Sequence, residues 1–248
     1  MTFWSGERLT AEGKKLRIVD SFNEDKVDCS AYTLTLGPEA FVTPDYSVSQ
    51  RDNVRTILTA PFEVELGGGM RNITGGELVI PSGQFAILLT EEFVRIPKHT
   101  MGFISLKFSV KGTGLINVSG FHVDPGYEGR LIFSVYNAGP SPARMNRGQD
   151  LFLLWLADLD RQSEAPFVKP PAKNPVVSIP TTMIAKADRP IRSAQELSDK
   201  VDELDAELKL FKRMVGVAAV ILATSISFAA LIIASIRFFG ESPILNSI

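Results

Sequence analysis

Short apolar runs separated by turn residues fill most of the chain before residue 160. Each run has four to eight residues rich in β-branched, aromatic or other apolar side chains, which is typical of strands. Turn-forming clusters separate several of them, for example Pro81-Ser82-Gly83 and Asp124-Pro125-Gly126. The runs are Ser30–Leu36, Phe62–Leu66, Glu77–Ile80, Phe85–Leu89, Met101–Phe108, Arg130–Tyr136 and Leu151–Leu156. This pattern predicts a mainly β domain over residues 1–160, a sandwich, barrel or jelly roll, with one short helix near Arg8–Lys15.

The pattern changes near the C-terminus, where the 22 residues from Val215 to Ile236 contain no charge. They make about 33 Å of helix, close to the roughly 30 Å hydrocarbon core of a bilayer. A buried core helix is the alternative, but core helices are rarely this long and this uniformly apolar. We therefore predict one transmembrane helix at 214–237, followed by a short tail at 238–248.

Positive charges lie mainly before this span. Lys209, Lys212 and Arg213 precede it, whereas Arg237 and Glu241 follow it. Because Lys and Arg favour the cytoplasmic side of a membrane, we predict a single-pass membrane protein with its N-terminal domain in the cytoplasm. The single cysteine agrees with a reducing compartment.

Residues 193–213 carry a second regular pattern, in which apolar residues recur at alternating spacings of four and three. The members are Leu197, Val201, Leu204, Leu208, Phe211 and Val215. In this heptad register Lys200 faces Asp205 of a neighbouring chain and Glu207 faces Lys212, pairs of opposite sign that parallel coiled coils prefer. The pattern predicts a short parallel coiled coil, and a single amphipathic helix lying on the domain is the alternative. Fewer than three heptads are marginal alone, so the coil needs support from the head or the span.

A proline-rich segment, residues 161–192, connects the two patterned regions. It holds six of the 15 prolines and a net charge of +4, and we predict an extended linker. Its charge allows contact with anionic lipid head groups, although a solvated linker is the simpler interpretation. Ser193 and Glu196 then have the spacing of a capping box, which predicts the start of a helix.

The composition of the chain excludes several kinds of partner and metal site. A formal net charge of −2 argues against a nucleic-acid-binding protein, so no nucleic-acid partner is expected. One cysteine excludes an internal disulfide and a cysteine-cluster metal site. With two histidines and no H-x-E plus C-x-x-C pattern, the zinc-dependent base deaminases are excluded as well, and no metal site is predicted.

Three segments between Gly13 and Leu159 follow one another in a specific order. They are GKKLRIVDSFNEDKVDCSAYTLTLG, ELVIPSGQFAILLTEEFVRIPKHTMGFISLKFS and FHVDPGYEGRLIFSVYNAGPSPARMNRGQDL. They resemble, respectively, the S-x-D-x-R-L-G, the L-x-P-G-E-F to R-S-S and the I-D-P-G-F-x-G to L-x-x-G stretches of the dCTP deaminase/dUTPase superfamily, closest to its dCTP deaminase branch. The VDPGYEG run, with YNAG and NRG at the right distances after it, is the most specific part.

The resemblance implies a distorted jelly roll that assembles as a homotrimer, with nucleotide sites shared between neighbouring subunits. A trimeric head would hold three helices together and so stabilise a short coil. The heptad residues themselves do not decide between dimer and trimer. The expected protein is therefore a trimeric, dUTPase-like β head followed by a coiled-coil helix and one transmembrane helix.

Several residues that carry the family's chemistry are replaced in this sequence. The catalytic Glu of the deaminases, general base and proton shuttle, falls at Ser134, whose hydroxyl cannot take a proton from water near neutral pH. The R-S-S phosphate and water site becomes Lys107-Phe108-Ser109, which keeps a positive charge but loses the guanidinium fork and one hydroxyl. Three further family positions, an Arg, an Asp and a Gln, are Gly112, Thr33 and Leu153.

Asp124 is retained. The resemblance implies contacts to the sugar and to the attacking water, whereas a structural interpretation makes Asp124 the cap of an Asp-Pro-Gly turn. The nucleotide-binding candidates are Lys107, Ser109, Asp124 and Tyr127. No cofactor is expected, and Mg²⁺ enters only with a bound nucleotide if the site is active.

Three hypotheses follow. The first is a membrane-anchored homotrimer with a catalytically degenerate head that binds or senses a ligand, either a pyrimidine deoxynucleotide or a protein. The second is an active dCTP deaminase or dUTPase tethered to the membrane. The third is a structural scaffold built from jelly-roll trimers.

Overall fold

The computed structural model describes residues 2–43, 55–66, 69–170, 175–187 and 194–240. Contacts divide the chain into two compact units, Met1–Ala194 and Gln195–Ile248. The first unit is mainly β, as the runs of apolar residues predict. Its strands are β1 (Thr2–Phe3), β2 (Val27–Asp28), β3 (Ala31–Val42), β4 (Thr56–Ile57), β5 (Phe62–Leu66), β6 (Gly69–Ile73), β7 (Glu77–Ile80), β8 (Phe85–Arg95), β9 (Thr100–Leu106), β10 (Leu115–Asn117), β11 (His122–Val123), β12 (Glu128–Asn137), β13 (Ala143–Asn146) and β14 (Asp150–Asp158). Its helices are α1 (Gly6–Lys15), α2 (Phe108–Lys111) and α3 (Thr181–Ala187).

One curled antiparallel sheet dominates this unit, with the strand order β10-β12-β8-β3-β14-β9-β11. The long strand β3 makes the curl possible. Its first part, Tyr32–Thr35, pairs with β14, and its second part pairs with β8 after a register shift between Leu36 and Ala40. Such an irregularity bends a strand and increases its twist. Gly37 lies at this bend, where a Cβ atom would be only 2.5 Å from the carbonyl oxygen of Thr90.

The core lies inside the curl and contains large apolar side chains from both parts of the sheet. The rings of Phe133 and Phe152 stack with their centroids 4.1 Å apart, and both side chains are fully buried. Strand β12 alternates strictly between buried and half-buried residues, so every second side chain of this strand points away from the core. This alternation places Ser134 on the outer face of the sheet.

Helix α1 confirms the short helix expected near Arg8–Lys15. Ser5 caps it by accepting a hydrogen bond from the backbone N–H of Arg8. The helix is tied to the end of β14, because the Trp4 indole donates to Asp158 at 2.9 Å and the Arg8 guanidinium donates to both oxygens of the same carboxylate. The Arg8 hydrogen bonds are the main reason why the pKa of Asp158 lies below its usual value.

The segment 161–192 is not simply the extended linker that its prolines predict. Residues 181–187 form helix α3, and Ile179 is fully buried together with Phe41, Ile87 and Leu89 of the sheet. Five apolar residues of this segment pack on the outer face of the sheet: Val176 and Ile179 before α3, and Met183, Ile184 and Ala187 within it. In the sequence, the proline content of residues 161–192 favours an extended linker instead of this packing. We call residues 175–187 the strap.

The second unit consists, in its described part, of one helix, α4 (Ala194–Gly240). Its 47 residues correspond to about 70 Å of helix. The sequence predicts a coil at 193–213 and a span at 214–237, and α4 runs through both without interruption. Its stretch Leu197–Phe238 is long and apolar enough to cross a membrane, and its apolar side chains are exposed. Ser193 of the predicted capping box lies outside the described residues.

Three of the four hydroxyl groups between Val215 and Ile236 of α4 bond to the helix's own backbone. Thr224 and Ser225 both donate to the carbonyl of Ile221, at 2.9 and 2.8 Å, and Ser227 donates to that of Ala223 at 2.8 Å. Such bonds remove the cost of placing a hydroxyl in hydrocarbon.

The contact of α1 with β14 can be tested with Asp158→Asn. At neutral pH we expect the free energy of unfolding to fall by about 1–2 kcal/mol, the contribution of partly exposed hydrogen bonds to a charged group. Because the pKa of Asp158 is lowered in the folded protein, this contribution is present above the unfolded-state pKa and lost as pH falls through the folded-state value. Thermal unfolding of both proteins from neutral to strongly acidic pH should show the difference disappearing. The exposed neighbour Asp160→Asn is the control, and an equal loss in both variants would contradict the assignment.

Candidate functional site

Ser134 stands on the outer face of β12, opposite Ile87 of β8. Its carbonyl accepts hydrogen bonds from the N–H groups of Val118 and Ser119, at 2.8 and 3.2 Å. These bonds hold the loop after β10 beside the strand. The Ser134 side chain points instead into a cavity between the sheet and helix α3, which we call the strap cavity.

The strap cavity has a volume of about 560 Å³. Its wall is largely apolar and is formed by Thr43, Phe85, Ile87, Val118, Ser134, Tyr136, Met183, Lys186 and Ala187. These lining residues include no carboxylate, imidazole or thiolate. The polar side chains among these lining residues are the hydroxyls of Thr43, Ser134 and Tyr136 and the Lys186 ammonium.

Asp124 begins a turn that is closed by its own carbonyl, which accepts from the N–H of Tyr127 at 3.2 Å. Gly126 occupies the left-handed region of this turn, with φ of 77°. The Asp124 carboxylate lies 3.1 Å from Nζ of Lys169 and 3.6 Å from Nε2 of His122. The turn thus depends on the backbone of Asp124, while its half-exposed carboxylate pairs with the segment that follows the sheet.

The Tyr127 side chain has a structural role. Its hydroxyl donates to the carbonyl of Arg130 at 2.6 Å, and burial raises its pKa to about 12. The phenol therefore remains protonated under ordinary conditions and supports the start of β12.

Lys107 and Ser109 lie away from the strap cavity, at the start of α2. The Lys107 ammonium is 3.6 Å from a carboxylate oxygen of Asp28. Ser109 lines a separate cavity of about 300 Å³ beside β13, and this cavity shares no lining residue with the strap cavity. Within one chain the candidates therefore divide into three places: the strap cavity, the Asp124 turn and the start of α2.

Two of the altered family positions are direct neighbours. The register of β14 with β3 places Leu153 opposite Thr33. Thr33 is buried. The resemblance implies an Asp and a Gln at these two positions, where this chain has a threonine and a leucine on adjacent strands.

Glu92 is a partly buried carboxyl group that the sequence does not single out. It accepts from the backbone N–H and the hydroxyl of Thr35, at 2.9 and 2.8 Å. Burial raises its pKa despite these hydrogen bonds. Glu92 is five residues along β8 from Ile87, the partner of Ser134, which corresponds to about 17 Å. It is therefore too far away to act as a general base at Ser134.

Glu91, unlike Glu92, accepts its hydrogen bonds from a cation. Its carboxylate accepts two hydrogen bonds from the guanidinium of Arg147, at 2.9 and 3.1 Å, and the same guanidinium donates to the carbonyl of Leu58. Adjacent glutamates thus have different environments, one paired with a cation and one held only by neutral donors. This difference depends on strand pairing, so no local signal in the sequence reveals it.

The curled antiparallel head and the long apolar helix define a single β domain joined to a helical segment. Residues 4–159 match the family model described as dCTP deaminase-like. The chain therefore belongs to the dCTP deaminase-like family, as its ordered motifs predict.

Similar proteins agree with this assignment. The chain is 26% identical over 136 residues to the dCTP deaminase of Pyrococcus horikoshii, a match covering 55% of this chain and 72% of the relative. It is 25% identical over 154 residues to that of Haemophilus influenzae, covering 58% and 76%. Among solved structures, the Agrobacterium tumefaciens dCTP deaminase matches with a TM-score of 0.45 and 14% identity, over 62% of this chain and 47% of that one. The EIAV dUTPase matches with a TM-score of 0.32 and 23% identity, over 44% and 95%.

The different environments of the two glutamates can be tested by pH-dependent unfolding. We expect Glu92→Gln to raise the free energy of unfolding at neutral pH by on the order of 1 kcal/mol, because a neutral amide avoids burying a charge. The raised pKa means that the stability from protonated Glu92 is complete below the unfolded-state pKa and is lost as pH rises through the folded-state value. The two proteins should therefore be equally stable in acid and separate as pH rises.

The adjacent substitution Glu91→Gln is the matched control for this experiment. It leaves the Arg147 guanidinium without its carboxylate and should destabilise the protein at neutral pH. Loss of stability at neutral pH in Glu92→Gln as well would show that Glu92 is stabilised in its charged form.

Proposed function

We propose that this protein is a membrane-anchored homotrimer whose dCTP deaminase-like head has lost catalysis and acts as a ligand-binding, sensing module. The observation that carries the proposal is the environment of Ser134, the position of the family general base. Deamination and triphosphate hydrolysis both need a group that takes a proton from water. The wall around Ser134 offers only hydroxyl groups and one lysine for that task.

The membrane anchor rests on α4. Its apolar stretch is long enough to span a bilayer, and Lys209, Lys212 and Arg213 before it favour a cytoplasmic head. The homotrimer rests on the family and on the heptad seam, whose residues are exposed in the single chain. The heptad seam and the apolar stretch belong to one continuous helix, α4.

One observation favours the alternative of an active, membrane-tethered dCTP deaminase or dUTPase. Asp124 is retained in the Val-Asp-Pro-Gly turn, and its carboxylate is half-exposed. In a trimer, Lys107 and Ser109 of one subunit would approach Asp124 and Tyr127 of a neighbour, as in the shared sites that the family implies. Mg²⁺ would then arrive with the bound triphosphate.

Turnover distinguishes the two functions. We expect the full chain to turn over dCTP or dUTP, supplied with Mg²⁺, about 10²–10⁴-fold more slowly than an active dCTP deaminase does. A missing general base lowers the rate by this factor. Ammonia and pyrophosphate release would be measured beside the Pyrococcus horikoshii enzyme as a positive control. Turnover comparable to that control, abolished by Asp124→Ala, would establish the alternative instead.

The coiled coil can be tested with two lysine substitutions on the same helix. Leu204→Lys places a charge in the heptad seam, whereas Ala206→Lys places the same charge on the opposite side. We expect Leu204→Lys to weaken self-association of the full chain by at least about tenfold, since losing a packed leucine costs more than the 1.4 kcal/mol that a factor of ten represents. Native mass spectrometry across a dilution series would measure it. Equal behaviour of both variants would rule out a contribution of the seam.

A further inference from the structure

We infer that the strap cavity binds a single-chain amphiphile with one negative group at its end, such as a long-chain carboxylate. The inference deepens the proposed function, on which it rests, because it names the class of ligand that the head would sense. Three features of the cavity carry it: its wall, its polar groups and the way in which its roof is held.

The wall suits a hydrocarbon chain. Phe85 and Ile87 of the sheet form one side, and Met183 of α3 lies across from them. A volume of about 560 Å³ falls within the range of roughly 300–1,000 Å³ that is usual for small-molecule sites. Methionine adapts to ligands of different shape because its side chain is unbranched and flexible.

The polar groups suit a single negative charge. Among the described residues of the wall, Lys186 is the one with a charged side chain. Its ammonium, the Ser134 hydroxyl and the Tyr136 hydroxyl have no hydrogen-bond or ion-pair partner among the described residues. One lysine and two hydroxyl groups match the end of a carboxylate ligand. They do not match a triphosphate, most of whose charges would remain unpaired against an apolar wall.

The roof is fixed to the sheet, so the cavity is already formed without a ligand. The backbone N–H of Arg130 donates to the carbonyl of Val176 at 2.7 Å, and that of Ile179 donates to the Glu39 carboxylate at 2.9 Å. Arg55 donates to the carbonyl of Ile179 at 2.6 Å. These bonds and the burial of Ile179 hold the first part of the strap, while Met183 and Lys186 cover the open space beside Ser134.

Photo-crosslinking tests the inference on the full chain in phosphatidylcholine nanodiscs. The probe is a twelve-carbon carboxylate with a diazirine at the end of its chain, and adducts are mapped by peptide mass spectrometry. We expect adducts on two places, the cavity peptides that contain Phe85–Ile87 or Met183 and the apolar part of α4. The methyl ester of the same probe, which has no charge, should label α4 equally and the cavity several-fold less.

Substitutions of lysine residues then test which positive charge the probe contacts. Lys186→Met keeps most of the apolar stem and should lower the cavity adducts by up to about fivefold, as expected for loss of an ion pair with an exposed lysine. Lys186→Arg should retain them, and Lys111→Met, which removes an exposed lysine of α2, should leave them unchanged. Adducts on α4 serve as the internal standard in every sample.

Several results would overturn the inference. The absence of cavity adducts above background would mean that another segment or a second copy of the chain covers this face. Equal cavity labelling by the acid and its ester would rule out recognition of the charge, and displacement by dCTP or dUTP would make the occupant a nucleotide. The proposed function fails separately: turnover of dCTP would refute it whatever the adducts, and cavity adducts without any on α4 would contradict only the membrane anchor.

Discussion

The bend in β3 is the constraint on which the rest of the head depends. A straight strand of twelve residues would pair with the same two neighbours along its length, and the sheet would remain open. Strand β3 pairs with β14 over Tyr32–Thr35 and with β8 from Leu36 onward, and the register shift between Leu36 and Ala40 bends the strand between these two neighbours. Only glycine fits at position 37, because a side chain would collide with the Thr90 carbonyl. The curl encloses the core in which Phe133 and Phe152 stack.

The same curl decides what lies outside. Since β12 alternates between the core and the outer face, burying Phe133 and Val135 fixes Ser134 and Tyr136 on the other side. The strap then covers that face, because Ile179 is buried against the apolar side chains of Phe41, Ile87 and Leu89. Ser134, where the resemblance places the family's catalytic Glu, thus lines a largely apolar cavity whose described wall includes no carboxylate. The proposed ligand binding rests on this environment.

The strap also joins the head to the rest of the chain. It follows the contact of Lys169 with Asp124 and precedes α4 in the chain. A ligand in the strap cavity would thus contact the last described part of the head before that helix. The proposed sensing function needs no chemical step, only a ligand that binds there.

Local patterns in the sequence determined much of this protein. The runs Phe62–Leu66 and Glu77–Ile80 coincide with β5 and β7, the helix near Arg8–Lys15 is α1, and the ordered motifs led to the right family. Alternation and heptad spacing are local properties, and one chain is enough to read them. The six prolines of residues 161–192 favour an extended linker, whereas the apolar residues of the strap have partners that are far away in sequence. Only the tertiary structure decided that α3 lies beside Ser134, that Glu92 is partly buried and accepts from the neutral donors of Thr35, and that Lys107 and Ser109 lie apart from Asp124. Each of these depends on which strands become neighbours, and strand pairing is set by burial over the whole sheet.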